Sequence, residues 1–244
     1  MSAMPDFQPA PASLPPGHRV YAVGDIHGQD GKLAALHAQI ADDLAARPAE
    51  APLLVHLGDY IDRGPDSCGV IARLAAGAPM NGLPPGLPTV NLLGNHERSM
   101  IDALAGERAA VTDWRFHGGR EALASWDIDA DSDPATWPSL IPAAHRRFVE
   151  GLALTHRLGG YLFVHAGIRP GLPLEAQSPD DLIRIRGGFL ESEADFGVVV
   201  IHGHTPTHGP VLRRNRIGID TGAGYGRELT CLVLEADRMA FFQA

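Results

Sequence analysis

The chain reads as an α/β protein. Two features carry that reading: short apolar runs recur along most of its length, and amphipathic helical stretches stand between them. The runs are Val20 to Val23, Leu53 to Leu57, Val90 to Leu93, Tyr161 to Val164, Val198 to Ile201, Ile217 to Ile219 and Leu229 to Leu234, each short enough for a buried strand. Between the first two, Asp30 to Arg47 carries Leu33, Leu36, Ile40 and Leu44 at helical spacing and stops before Pro48, so the opening unit is strand, helix, strand. Asp66 and Ser67 start a second helix that runs through Leu74 and closes at Gly77. Ser178, Pro179, Asp180 and Asp181 start another near Leu182.

The stretches Gly82 to Pro88 and Asp127 to Pro138 read as loops, and Gly118 with Gly119 as a backbone device before a short helix. Met1 to Pro16 holds five prolines and no apolar period, so it is expected to be a flexible tail outside the fold, leaving 17–244 as one domain.

Composition narrows the function. With 45% hydrophobic and 20% charged residues the chain is ordinary for a globular protein. Lys and Arg total 20 against 29 acidic residues, a net charge of −9 that argues against a nucleic-acid partner. Two cysteines, Cys68 and Cys231, are too few for a disulfide framework or a zinc ribbon. Neither an 18-residue apolar stretch nor a secretory leader is visible, so no membrane role and a cytoplasmic location are expected.

The polar residues at the strand ends are the informative ones. The first run leads into Asp25 and His27, the second into Asp59, the third into Asn95 and His96, the fourth into His165, and the fifth into His202 and His204. In an open α/β sheet the crevice beyond the strand carboxyl ends is where sites form, so these side chains are expected to converge. If the strand ends stay extended, Asp25 and His27 project to one side, whereas the neighbours Asn95 and His96 project to opposite sides. Two carboxylates, an amide oxygen and three imidazoles form a mixed oxygen and nitrogen donor set that suits manganese, iron or zinc rather than calcium. Six donors over-supply one ion. Two divalent ions roughly 3.5–4 Å apart, bridged by Asp59, are the expected solution.

The same residues lie in blocks: Gly24-Asp25-Ile26-His27-Gly28, Gly58-Asp59-Tyr60-Ile61-Asp62-Arg63-Gly64 and Gly94-Asn95-His96-Glu97, followed by His165-Ala166-Gly167, Gly203-His204-Thr205-Pro206 and Asp220-Thr221-Gly222-Ala223. Over roughly 19–235 this pattern resembles the phosphoprotein phosphatase branch of the calcineurin-like metallophosphoesterases, especially the bacterial serine/threonine phosphatases. The resemblance implies a four-layer αββα sandwich of two mixed β-sheets flanked by helices.

It also implies one metal on Asp25, His27 and Asp59, and a second on Asp59, Asn95, His165 and His204, most often manganese. His96, oriented by Asp62, would be the general acid. The nucleophile would be a water bridging the ions, its pKa lowered toward neutrality. Arg63 is expected to fork the phosphate oxygens together with Asn95 and a second arginine. Relatives place that arginine after a Trp-Ile pair; here the stretch is Arg184-Ile185-Arg186, and Arg186 is expected to reach the substrate. The wider family often has a second histidine two residues after the one at 204, where this chain has Pro206, and that favours the protein-phosphatase branch.

His202 and His56 are expected in the core, and His18, His37, His145, His156 and His208 on surfaces or helices. Asp220 and Tyr225 stand at another strand end, able to line the crevice or simply to stabilise the turn. The activity this implies is hydrolysis of phosphoserine or phosphothreonine in proteins. A symmetrical diadenosine tetraphosphatase or another small-molecule phosphoesterase is the alternative, set against by Glu97 where such enzymes usually carry aspartate. An inactive binding scaffold would be expected to have lost a ligand or the acid, and every position is filled.

Overall fold

A computed structural model describes residues 5–77 and 82–244. In chain order the elements are β1 (Gln8–Pro9), β2 (His18–Val23), α1 (Asp30–Ala46), β3 (Ala51–His56), α2 (Ser67–Ala76), β4 (Thr89–Asn91), α3 (Asn95–Leu104), α4 (Arg108–Trp114), α5 (Arg120–Ser125), α6 (Trp137–Leu140) and α7 (Ala143–Glu150). Then follow β5 (Thr155–Leu158), β6 (Tyr161–Val164), α8 (Pro179–Arg184), α9 (Gly187–Leu190), β7 (Val199–His202), β8 (Val211–Leu212), β9 (Arg216–Gly218), β10 (Thr230–Glu235) and β11 (Arg238–Gln243).

The strands form two mixed sheets. The first runs β1-β11-β10-β2-β3-β4, with β2, β3 and β4 parallel; the second runs β5-β6-β7-β9-β8, with β6, β7 and β9 parallel. Side-chain alternation along the central strands decides what each sheet packs against. Val20 and Ala22 of β2, Val55 of β3, and Leu232 and Leu234 of β10 meet Tyr161, Phe163, Val199 and Ile201 of the other sheet in one buried layer. The alternate residues, Tyr21 and Val23, Leu54, and Cys231 and Val233, face outward into a core shared with Leu33, Leu36 and Ile40 of α1 and Val70 and Ile71 of α2. On the far side, Leu162, Val164 and Val200 pack against Leu182 and Phe189 from α8 and α9. Helix, sheet, sheet, helix is the four-layer order expected, and all seven predicted strands are present.

One expectation fails. The proline-rich N-terminal segment is not free of the fold across residues 8–14: Gln8 and Pro9 pair with Met239 and Arg238 of β11, Gly160 donates to the Ser13 carbonyl, and Leu14 is buried between the sheets. Proline suits such an edge strand because it needs no ladder donor there. Residues 1–4 lie outside the described residues. His37, expected on a surface or a helix, lies on the buried face of α1; its Nε2 lies 3.1 Å from Nε2 of His56, whose Nδ1 meets Asn91 Oδ1 at 2.8 Å. Burial pushes both imidazoles down, to about 2 for His37 and about 4 for His56, so the pair is neutral at physiological pH and acts as core packing.

Candidate active site

The parallel strands of both sheets end on the same edge of the molecule, and their exits form the site. The exits are not extended. His27, Asp59, Asp62, Arg63 and His204 all have positive φ, between 47° and 73°, the left-handed region that non-glycine residues rarely adopt. Asn95 and His96 are the first residues of α3. Tight turns at His27 and Asp59 and the N-terminus of α3 at Asn95 and His96, rather than extended strand ends, aim these side chains inward. The turns interlock: a Cβ on Gly64 would sit 1.9 Å from the His27 carbonyl oxygen, so no side chain fits there.

Asp59 is the centre. Its Oδ2 lies 3.6 Å from His27 Nε2 and 3.9 Å from His96 Nε2, whereas its Oδ1 lies 3.3 Å from His165 Nε2. One carboxylate thus divides its oxygens between two clusters, His27 with His96 and His165 with His204. Asn95 Oδ1 approaches His165 Nε2 at 3.1 Å. Asp25 stands beside the second cluster, its Oδ2 accepting the His204 backbone N–H at 2.9 Å.

Several features of this geometry call for positive charge. His27 Nδ1 donates to the Ile61 carbonyl and His165 Nδ1 to the Leu57 carbonyl, both at 2.9 Å, which turns each Nε2 toward Asp59. Two oxygen acceptors, from Asn95 and Asp59, then converge on His165 Nε2, an arrangement that a proton or a cation between them would satisfy. Among the described residues, Asp25 Oδ1 is buried with no hydrogen-bond partner. Burial, then the charges of Asp220 and Asp59, holds the Asp25 carboxyl well above the carboxylate range, and burial depresses His27 to about 3 and His204 to about 2. Neutral imidazoles beside carboxylates that repel one another form a donor set that a divalent pair relieves.

On the rim of the first cluster, His96 Nδ1 lies 2.6 Å from Asp62 Oδ2. Burial alone would lower His96, but Asp59 and the hydrogen bond to Asp62 outweigh it and hold the imidazole above its ordinary value. Arg63 reaches over both imidazoles, Nη1 at 2.8 Å from His27 Nε2 and Nη2 at 2.9 Å from His96 Nε2. Arg186 closes the other side, donating through Nε to His204 Nε2 at 3.1 Å and through Nη2 to the His204 carbonyl at 3.2 Å. Arg184 instead pairs with Asp180 on the outer face of α8. Of the two arginines, Arg186 is the one that contacts His204. His202 is buried in the core against Phe189, 5.1 Å between ring centroids. Asp220 is buried and caps its own turn by accepting the Gly222 N–H at 2.9 Å.

The sequence reading passed over the part Glu97 plays. From the first turn of α3, its fully buried carboxylate accepts the backbone N–H groups of Asp59, Tyr60, Ile61 and Gly94 at 2.7–3.2 Å. It fixes the turn that carries Asp59 and does not face the cleft. Glutamate against aspartate at 97 is therefore a statement about turn geometry, and it loses its force as a guide to substrate. Burial and the nearby Asp59 push this carboxyl up to about 7, opposed by the Tyr60 N–H. Glu97→Gln directs an amide N–H₂ at those donors and is expected to cost about 2–4 kcal/mol of stability, read as a lowered Tm. Arg98→Gln, at the half-exposed end of an ion pair with Asp102, is the control and should shift Tm by far less.

The calcineurin-like phosphoesterase family model matches 18–237. The chain belongs to the calcineurin-like phosphoesterase family. It is 29% identical over 221 residues to serine/threonine-protein phosphatase 1 of Salmonella typhimurium, covering 86% of this chain and 89% of that one. It is 31% identical over 286 residues to the symmetrical bis(5'-nucleosyl)-tetraphosphatase of Ralstonia nicotianae, covering 90% and 89%. Among solved structures, the cold-active protein-tyrosine phosphatase of a psychrophilic Shewanella shares the fold, with a TM-score of 0.61 at 18% identity over 95% of this chain and 82% of that one. This metallophosphoesterase is a hydrolase. Among its described residues no helix is long and apolar enough to cross a membrane.

Proposed function

We propose that this metallophosphoesterase hydrolyses phosphoserine or phosphothreonine monoesters. The observation that carries the reading is the buried His96–Asp62 pair beside Asp59. An alkoxide leaving group is a strong base that needs a proton as it departs, and an imidazolium held by a carboxylate supplies one. A nucleotide leaving group is a weak base and gains far less from such a donor.

Asp25, His27 and Asp59 would hold one divalent ion, and Asp59, Asn95, His165 and His204 the other; the mixed oxygen and nitrogen donors suit manganese, iron or zinc, and the resemblance to the phosphoprotein phosphatases favours manganese. When bound, such ions acidify a water and neutralise charge on phosphoryl oxygens. The chain's own residues do the rest. Arg63 and Arg186 would grip the phosphoryl group from opposite sides and Asn95 would add an amide contact; once Arg63 Nη2, 2.9 Å from His96 Nε2 here, turns to the phosphate, His96 would give the leaving oxygen its proton from Nε2 while Asp62 holds Nδ1. Arg186→Ala is expected to lower kcat/KM by about 10- to 100-fold, the worth of a charged hydrogen bond. Arg184→Ala should leave kcat/KM within about twofold, since an exposed i,i+4 pair contributes little.

A second reading has its own support. The Tyr225 ring lies 5.1 Å from the Arg63 guanidinium and is 56% exposed, an aromatic face beside the phosphate fork on which a nucleobase could stack. Relatives named as bis(5'-nucleosyl)-tetraphosphatases point the same way. The deciding assay offers a phosphothreonine peptide and diadenosine tetraphosphate to metal-reconstituted protein side by side. Preferential release of phosphate from the peptide supports the first reading. Preferential cleavage of the dinucleotide, lost in Tyr225→Ala, replaces it with the second.

A further inference from the structure

Asp62 is gripped from two directions, and only one of them is His96. Trp114, the last residue of α4, is fully buried, and its Nε1 lies 3.0 Å from Asp62 Oδ1 and 3.1 Å from Oδ2, one indole N–H shared between both oxygens. The Asp62 backbone N–H goes to Ser67 Oγ at 3.0 Å, so the indole and the imidazole are the partners that orient the carboxylate.

The backbone after Trp114 is built for this approach. Residues 115–119 form a π-helical turn interrupted at Gly118, where φ is 113°. The Gly118 carbonyl accepts the Arg63 N–H, and a Cβ there would stand 2.7 Å from that nitrogen and 3.0 Å from Asp62 Cβ. A Cβ on Gly119 would stand 2.7 Å from the Trp114 ring. Only without side chains at both positions can α4 and its π-turn close onto the Asp62–Arg63 segment. Trp137 braces the indole edge-on, with centroids 5.9 Å apart.

From this geometry we infer that Trp114 is a positioning residue for proton donation: its indole N–H locks the Asp62 carboxylate in the rotation that pairs with His96 Nδ1. The inference rests on the proposed role of His96. Without the N–H, a buried carboxylate oxygen loses its donor and the side chain is free to turn away from the imidazole. A donor held loosely costs most where the departing oxygen most needs a proton, and costs little where the leaving group is stable as an anion.

The test compares a phosphoserine peptide with p-nitrophenyl phosphate in the metal-reconstituted enzyme. Trp114→Phe is expected to lower kcat about 10- to 100-fold on the peptide and to leave the nitrophenyl ester within about threefold. Trp137→Phe, which alters the same packing without touching Asp62, should show no such selectivity. In an Asp62→Asn background Trp114→Phe should cost nothing further, because it acts through that carboxylate. Should the phenylalanine variant not fold, benzothienylalanine at position 114 keeps the indole shape with sulfur in place of N–H and must give the same selectivity. Equal losses on both esters, or additive losses with Asp62→Asn, would overturn the inference. His96→Asn run alongside separates the two claims: if it too loses both esters equally, the proton-donor reading fails, whereas selectivity in His96→Asn alone defeats only the role given to Trp114.

Discussion

Asp59→Asn is expected to reduce turnover by about a thousandfold or more, on the scale of removing metal-ion stabilisation of the transition state. The size follows from position. Asp59 sends one oxygen toward His27 and the other toward His165, and its Oδ1 also accepts the His96 backbone N–H at 3.1 Å. Burial would raise its pKa, but the charges of His165 and His96 prevail and hold the carboxyl well below its ordinary range. An amide presents one acceptor and one donor where two anionic acceptors stood, so one cluster is left facing N–H₂. Metal content after dialysis, measured by mass spectrometry, should fall below that of the wild-type chain together with activity. Full metal retention with near wild-type turnover would sink the bridging role.

His96→Asn is expected to be the second-largest loss, about 10²- to 10⁴-fold in kcat on a phosphoserine or phosphothreonine substrate, the span general-acid catalysis supplies. It should differ from the first in kind. His96 is not among the proposed ligands, so bound metal should remain, and KM should move little because Arg63 and Arg186 hold the phosphate. Asparagine can still donate to Asp62 but carries no proton that it can give up near neutral pH. A kcat within threefold of wild type on the alkyl ester would remove His96 from the mechanism.

Much of this was legible in the sequence because burial writes itself into residue type. A strand covered on both faces is apolar along its buried stretch, as β2 is from Val20, β3 up to Val55, β6 throughout, β7 up to Ile201 and β10 from Cys231 to Leu234, so their positions and the polar residues that follow them could be read directly. The strands that carry no such run, β5, β8 and β11, escape the sequence for the opposite reason. Thr155–Leu158 alternates exposed and half-buried residues, and Val211–Leu212 is too short to show a period. Arg238–Gln243 pairs with β10 yet carries polar residues at both ends.

At the site, the identities of the ligand-type residues were readable and the way the chain aims them was not. The sequence implies extended geometry where His27, Asp59 and His204 turn left-handed; Asp and His enter that region more readily than most residues, but residue type alone does not say where they do so. Trp114 was invisible as a partner of Asp62 because 52 residues separate them and a lone tryptophan reads as core. The Gly118-Gly119 pair beside it was the available signal.

The left-handed residues carry a consequence for how this protein could be improved. A non-glycine residue in that region costs of order 1–3 kcal/mol, and five of them crowd one small site. Glycine at 27, 59, 62, 63 or 204 would relax the backbone and erase a proposed ligand, acid partner or phosphate clamp. Selection for heat tolerance alone would drift toward those glycines and end with a sturdier, idle protein. An engineer seeking a hardier enzyme should leave the strand exits untouched and look to the layers beneath them, where stability and chemistry do not compete for the same atoms.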